Sequence, residues 1–386
     1  MRVSNDAVSG AFALALLLIL SSVPFGAAAE DETLTEPNAA SRNPSVEIGP
    51  VQHGLAANYP GDVGIAADPA VVFAEDFEEP TIGDLTARWD EAKNANNLTF
   101  SNDVPQGSNG TQSLLVTHTG GGDTGSHLYR QLLPGHDQLY MRFYVKFDPG
   151  AWDLHHFVHM GGYNPPTRWP QGGAGTKPNG DDRLSTGIEP YGSAWRWDFY
   201  SYWMEQRPCC GGTQYWGNDF VNDPALSVSK GQWISVELMM KMNSDLAGRD
   251  GEQAIWIDGK QWVKDGQVIS HLGPGFPKGT WTADSWNPDP AGQPFEGFRW
   301  RSDANLNLNW LWLLVYITTA PAGHVTKILF DDVVVATSYI GPIGGGGGGG
   351  NPCPPSALFC EDFEDTNFTA RGWYDGSGGN LSSTEH

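Results

Sequence analysis

The chain is poor in charge, and poorest in positive charge. Only 17% of its 386 residues are charged, and 45 acidic residues face 22 basic ones, for a formal net charge of -23. So acidic a surface repels a phosphate backbone, which excludes nucleic acid as a partner. An anionic ligand would need a local concentration of basic groups. Cysteine is also scarce. Cys353 and Cys360 are close enough to close a small loop, while Cys209 and Cys210 are adjacent. The adjacent pair can form a vicinal disulfide, stay reduced or pair elsewhere, and spacing does not choose. Neither pair has zinc-site spacing. Long apolar runs are confined to AFALALLLIL at 11–20. That run has signal-peptide length and is too short to span a bilayer. No segment shows amphipathic helical periodicity over three turns, which argues against a helical fold.

What is present is glycine (49), proline (27) and tryptophan (16). Many short strands joined by Gly/Pro turns give this composition. Residues 1–29 read as a signal peptide, with the small residues Ala27, Ala28 and Ala29 before Glu30 marking the cleavage site. The mature protein is therefore expected to be exported, extracellular or periplasmic, without a membrane span. Residues 30–70, rich in Ala, Pro, Asn and Gly, read as a disordered linker. A single domain is expected over 71–343, then a Gly-rich linker over 344–352. In the tail, FCEDFE from Phe359 repeats FAEDFE from Phe73 at five of six positions. Residues 353–386 thus look like the truncated start of a second similar domain, too short to bury a core.

Within 71–343 the strand signals are plain. WISVELMMKMN at 233–243 puts Ile234, Val236, Leu238, Met240 and Met242 on one face. LNLNWLWLLVYITT at 306–319 is apolar on both faces, as a central strand would be. Taken as a strand, 195–203 puts Trp195, Trp197, Phe199, Ser201 and Trp203 on a core face, and Arg196, Asp198, Tyr200 and Tyr202 on the other. The fold class expected is all-β: an antiparallel β-sandwich of jelly-roll type.

The opening EDFE, the closing FDDVVVATSYIG and the aromatic middle resemble the concanavalin A-like lectin/glucanase superfamily. The run HMGGY, STGIEPYG, WDFYSYW, GQWISVELMMKMN and DGEQAIWIDGK resembles polysaccharide lyase family fourteen, the alginate and glucuronan lyases. That resemblance implies β-elimination on a uronic-acid glycan, with a Tyr-x-Tyr pair on a concave strand. Tyr200-Ser201-Tyr202 matches the pair, whereas the family's lysine has no match in LHHFVHMGG at 154–162. The resemblance also implies a structural calcium where first and last strands meet. Asp76, Glu78 and Asp332 supply oxygen ligands there.

Removing a proton beside a carboxylate needs a base, an acid for the leaving oxygen and a cation or donor at the carboxylate. The catalytic set expected is Tyr200, Tyr202, Arg196, His155 and His159, with His156 on the opposite strand face. Sugar contacts are expected from Glu189, Tyr191 and Asp198, and from Arg168, Trp169 and Lys177 of the long loop 163–183. Charge agrees. Residues 152–207 hold five Lys/Arg against six Asp/Glu, the rest seventeen against thirty-nine. The most basic part of an acidic chain coincides with the expected cleft, which suits an anionic polysaccharide. A hydrolase of this fold would carry alternating carboxylates on one strand, and none does so. The alternative to a lyase is a non-catalytic, lectin-like domain.

Overall fold

Period-two segments with one apolar face have to bury that face, and here two antiparallel sheets bury theirs against each other. The computed structural model describes residues 46–344, apart from 210 and 222. The expected signal peptide, the second-domain start and most of the glycine linker lie outside the described residues.

Fourteen strands build the sandwich: β1 (Val71–Glu75), β2 (Glu91–Lys93), β3 (Leu98–Ser101), β4 (Ser113–Thr119), β5 (Gly125–His136), β6 (Gln138–Phe147), β7 (Val158–Tyr163), β8 (Arg183–Tyr191), β9 (Arg196–Tyr202), β10 (Trp233–Lys241), β11 (Glu252–Ile257), β12 (His271–Leu272), β13 (Leu308–Tyr316) and β14 (Val325–Ala336). One sheet has the order β9-β8-β7-β13-β5-β2. The other runs β12-β11-β10-β6-β14-β4-β3, with β1 also paired to β14. All of these pairings are antiparallel. The fold is thus the antiparallel jelly-roll sandwich that the strand pattern predicts.

The core lies between the sheets. Ile234, Val236, Leu238 and Met240 of β10 fill it from one side, with Met242 just beyond the strand. Leu139, Met141, Phe143, Val145 and Phe147 of β6 do the same. From the facing sheet come Trp197 and Phe199 of β9, Val158 and Met160 of β7, and Leu311, Leu313 and Val315 of β13. Ser201 also points inward and is buried. It bonds Thr186 Oγ1 at 2.6 Å and Gln253 Oε1 at 3.0 Å, so a polar bridge crosses the core. Helical structure is slight. The α-helix Ile82–Ala87 is capped by Thr81, which accepts from Asp84 N, and is pinned by buried Leu85.

Residues 46–70, expected to be part of a disordered linker, are ordered. Val46–Ile48 pairs with Trp262–Lys264. Ala56 and Ile65 pack with Val334, Ala336 and Ile340 on the outer face of β14. Asp62 forms an ion pair with the fully buried Arg142. The outer face of β14 is apolar, so it needs this cover, and a few small apolar residues without periodicity supply it.

Candidate functional site

The six-stranded sheet turns its other face to a cleft. Strand alternation sends Trp310, Trp312, Leu314 and Tyr316 of β13 to that face, opposite the core residues Leu311, Leu313 and Val315. The strand expected to be apolar on both faces is therefore core on one side and an aromatic floor on the other. The loop 164–182 crosses the floor. Tyr163 Oη accepts from Gln171 N at 3.0 Å, Tyr129 Oη donates to Thr167 O at 3.1 Å, and Arg183 Nη2 donates to Thr176 O at 2.6 Å. Gln171 and Gly172 line hollows on both sides of the crossing.

The smaller hollow, about 180 Å³, holds His156, His159, Tyr163, Arg183, Tyr200, Tyr202, Trp310 and Trp312. The larger, about 550 Å³, runs past His156 to Lys93, His127, Trp169 and Tyr316. His156 lines both. A separate concavity of about 580 Å³ beside Gln267, His271 and Phe276 lies at the hairpins. It shares no residue with this cluster.

β7, β8 and the residues just before β7 bring three polar side chains together. Glu189 Oε1 is 3.0 Å from His156 Nδ1 and 3.6 Å from His159 Nε2, and accepts from Phe157 N at 3.3 Å. Burial works to raise the Glu189 carboxyl, but the charge and hydrogen bond of His156 outweigh it and hold the group below its ordinary value. An ionised carboxylate only accepts, so His156 Nδ1 carries a hydrogen, and in the neutral ring Nε2 holds the lone pair. His159 Nδ1 faces the Phe157 carbonyl oxygen at 2.9 Å. Burial lowers the His159 pKa against the pull of Glu189.

Tyr200 packs beside them, its ring centroid 4.9 Å from that of His156. Gly217 lies flat on the Tyr200 ring, where a Cβ would fall 2.6 Å from ring carbons. Tyr200 Oη is 3.3 Å from Tyr202 Oη. Burial, then the neighbouring Tyr202, push the Tyr200 phenol well above its ordinary value, and burial raises Tyr202 too. Both are protonated donors rather than bases. The Arg183 guanidinium stands 5.9 Å from the Tyr202 ring centre.

The structure brings His159, Glu189, Tyr200 and Tyr202 of the expected set into one cluster, with Trp169 at the far hollow. His155 stands at its edge, its ring centroid 4.5 Å from that of His156, and the others lie outside it. Tyr200 and Tyr202 do share the face of Arg196 and Asp198, but Arg196 sits at the start of β9, opposite Tyr191, away from the hollows. Asp198 is buried as a structural acceptor, taking N–H bonds from Phe199, Phe220 and Val221. Tyr191 is near Asp219 and Asp284 instead. Arg168 pairs with Asp90 at 3.4 Å, and Lys177 Nζ stands over Tyr215. His155 is exposed and bonds Thr318 Oγ1 at 2.8 Å. His156 takes the place expected for it. β7 begins only at Val158, and His156 pairs with Tyr316 in an isolated bridge, so alternation carried back to 155 fails. Arg183, Trp310, Trp312 and Tyr316 were not foreseen. The alternating W-x-W-x-L-x-Y of β13 is the signal for three of them.

Of the expected calcium ligands, Asp76 and Asp332 line one small hollow, and Asp76 and Glu78 both help to raise Asp331. Among the described residues, two groups of three have ligand atoms within 4.8 Å of one another: His156–His159–Glu189 and Glu75–Asp76–Glu79. In the latter, Glu75 and Glu79 both hold Arg88. Glu78 instead accepts from Thr111 N at 2.6 Å and Gln112 N at 2.8 Å. Asp332 is buried beside Asp331, at a bulge between β14 and β6. One oxygen of each, Asp331 Oδ2 and Asp332 Oδ2, is buried without a hydrogen-bond partner. Burial and then mutual repulsion raise Asp331, and burial raises Asp332 against Arg142. Two buried carboxylate oxygens without donors fit a hard cation better than the exposed Asp76 does.

No family model and no curated protein matches the chain. Solved structures do. The alginate lyase Aly36B is 17% identical, over 69% of this chain and 97% of its own, with a TM-score of 0.42. Alginate lyase vAL-1 from Chlorella virus is 12% identical over 69% and 99%, TM-score 0.45. The endo-beta-1,4-glucuronan lyase from the fungus Trichoderma reesei is 20% identical over 69% and 95%, TM-score 0.38. The chain is similar to these polysaccharide lyases in fold.

Proposed function

We propose that this is a secreted polysaccharide lyase that cleaves a uronic-acid glycan by β-elimination in the cleft. One observation carries the reading: an imidazole oriented by a buried carboxylate stands beside a protonated tyrosine pair on an aromatic floor. His156 Nε2, with its lone pair toward the cleft, takes the proton from C5 of the uronate. The electron pair of that C–H bond becomes the C4–C5 double bond as the C4–O bond breaks. Tyr200, kept protonated by burial, gives its hydrogen to the leaving oxygen. Arg183 is the nearest cation for the sugar carboxylate. Trp310, Trp312 and Tyr316 offer faces on which rings lie. The calcium belongs to the same proposal, at Asp331 and Asp332 rather than spread over Asp76 and Glu78.

A second reading, a non-catalytic sugar-binding domain, has one observation in its favour. Arg183 Nη2 is already engaged by Gly173 O, Thr176 O and Thr176 Oγ1, so the cation nearest the tyrosines is partly committed to the loop. The ultraviolet absorbance of an unsaturated uronide separates the two. Residues 30–343 should raise it on one or more of alginate, glucuronan, pectate and glycosaminoglycans, and His156→Ala and Tyr200→Phe should abolish the rise. A flat trace on every polymer from folded protein that still binds oligosaccharide would replace the lyase with the binding domain.

A further inference from the structure

We propose that His156, His159 and Glu189 bind a divalent transition-metal ion, zinc in type, at the floor of the cleft. Three donor atoms converge there: His156 Nδ1, His159 Nε2 and Glu189 Oε1, with separations from the oxygen of 3.0 and 3.6 Å. Donors around a tetrahedral zinc at ~2.0–2.1 Å stand roughly 3.3 Å apart. The two separations from the oxygen need adjustments of tenths of an ångström, and all three donor atoms lie within 4.8 Å of one another.

The hydrogen bonding of His159 points the same way. The Phe157 carbonyl oxygen 2.9 Å from Nδ1 can only accept, so Nδ1 carries a hydrogen and Nε2 is the nitrogen left to face Glu189. Nε2 stands 3.6 Å from Glu189 Oε1, a separation that two ligands of one cation would have. A backbone carbonyl holding the far nitrogen is also the contact that metal-bound imidazoles make. Gly187 keeps the approach clear, since a Cβ there would fall 2.6 Å from His159 Nε2. Two imidazoles and one carboxylate suit zinc or cobalt rather than calcium or magnesium. His156 and His159 line the smaller hollow, and the His156 side chain is partly exposed.

The metal would also regulate. Bound at Nδ1, it takes the place of that hydrogen, which moves to Nε2. The Nε2 then donates and can no longer accept the C5 proton. This consequence rests on the lyase reading, whereas binding does not.

Titration of chelator-stripped protein with zinc by calorimetry, and with cobalt by its visible ligand-field bands, tests the site. One equivalent should bind, and four-coordinate cobalt bands should appear. Binding should be lost in His159→Ala and in Glu189→Gln, each confirmed folded by its thermal melt. It should persist in His155→Ala, a neighbouring histidine that faces solvent. No stoichiometric binding to folded wild type, or binding that survives both His159→Ala and Glu189→Gln, overturns the site. The uronide assay run in chelator and again with zinc keeps the two readings apart. Activity in chelator without zinc binding leaves the lyase and removes the metal. Zinc binding without activity in chelator leaves the metal and removes the lyase. Activity equal with and without bound zinc removes the regulation.

Discussion

Glu189 and the pair Asp331–Asp332 are acidic side chains sealed in the same sandwich, and they have opposite fates. Glu189 is surrounded by donors: His156 Nδ1 and Phe157 N hold it ionised, below its ordinary pKa. Asp331 has Asp332 beside it, and Asp332 has Asp62 and Asp76 as well as Arg142. Asp331 Oδ1 accepts from Asp332 N at 2.8 Å, but an oxygen of each has no donor, and both pKa values go up. Burial costs a carboxylate the same solvent in both places. What differs is whether the chain itself supplies the compensation. At Glu189 it does, and the result is an oriented imidazole. At Asp331 it does not, and the deficit is one a cation can fill.

The largest effect should come from neutralising each side in turn. Glu189→Gln keeps the shape and removes the charge that orients His156. Turnover should fall by about a hundredfold or more, with the melting temperature little changed. Asp331→Asn should do the reverse: turnover unchanged, and a higher melting temperature in chelator, because one of two repelling charges is gone. Kinetics and melts on the two variants check this. Equal turnover loss in both would erase the distinction between them.

How far the sequence displayed this contrast depends on what kind of signal each part leaves. The core face of β10, Ile234 to Met242, was legible because a two-residue period has one physical cause. So was the division of 195–203 into a tryptophan face and a tyrosine face. β13 was not. Hydropathy cannot separate Leu311, which fills the core, from Trp312, which floors a cleft. His156 was assigned to the wrong face because the strand was carried three residues too far. Glu189 was visible as a candidate, but its pairing with His156 is a contact between residues 33 apart in the chain. Residues 46–70 read as linker because their contribution is cover for another strand, and cover leaves no period of its own.

Glu237 is an intermediate case that sharpens the comparison. It is buried, and each oxygen accepts one backbone N–H, from Ile340 and Gly341, at 2.8 Å. Burial nonetheless pushes its carboxyl up to about 7 against those bonds and Arg142. Two neutral donors are therefore not enough, where the charge and hydrogen bond of His156 with a backbone N–H are. The sign follows from linkage. The folded pKa lies above the unfolded one, so the folded state binds the extra proton. The stability this contributes is full below the unfolded value, near 4.5, and is lost as pH rises through about 7. The total is about 3 kcal/mol. Denaturation free energies measured across that window should fall with rising pH in the wild type and flatten in Glu237→Gln. An unchanged slope in the variant would assign the pH dependence elsewhere.

The smallest effect expected is the one that tests the Asp331 side directly. If calcium supplies what the chain does not, chelation should lower the melting temperature by a few degrees, the shift that about 1–2 kcal/mol produces in a domain of this size. Asp331→Asn should remove most of that sensitivity, because it removes a ligand charge and the repulsion together. Glu78→Gln should leave much of it, because Glu78 is occupied by Thr111 and Gln112. The calcium expected from the first and last strands would then be carried by the last strand's bulge. A melt indifferent to chelator in the wild type would mean that the pair settles its deficit another way. One carboxyl would stay protonated, and Asp331, with the larger upward push, is the one that would keep the proton.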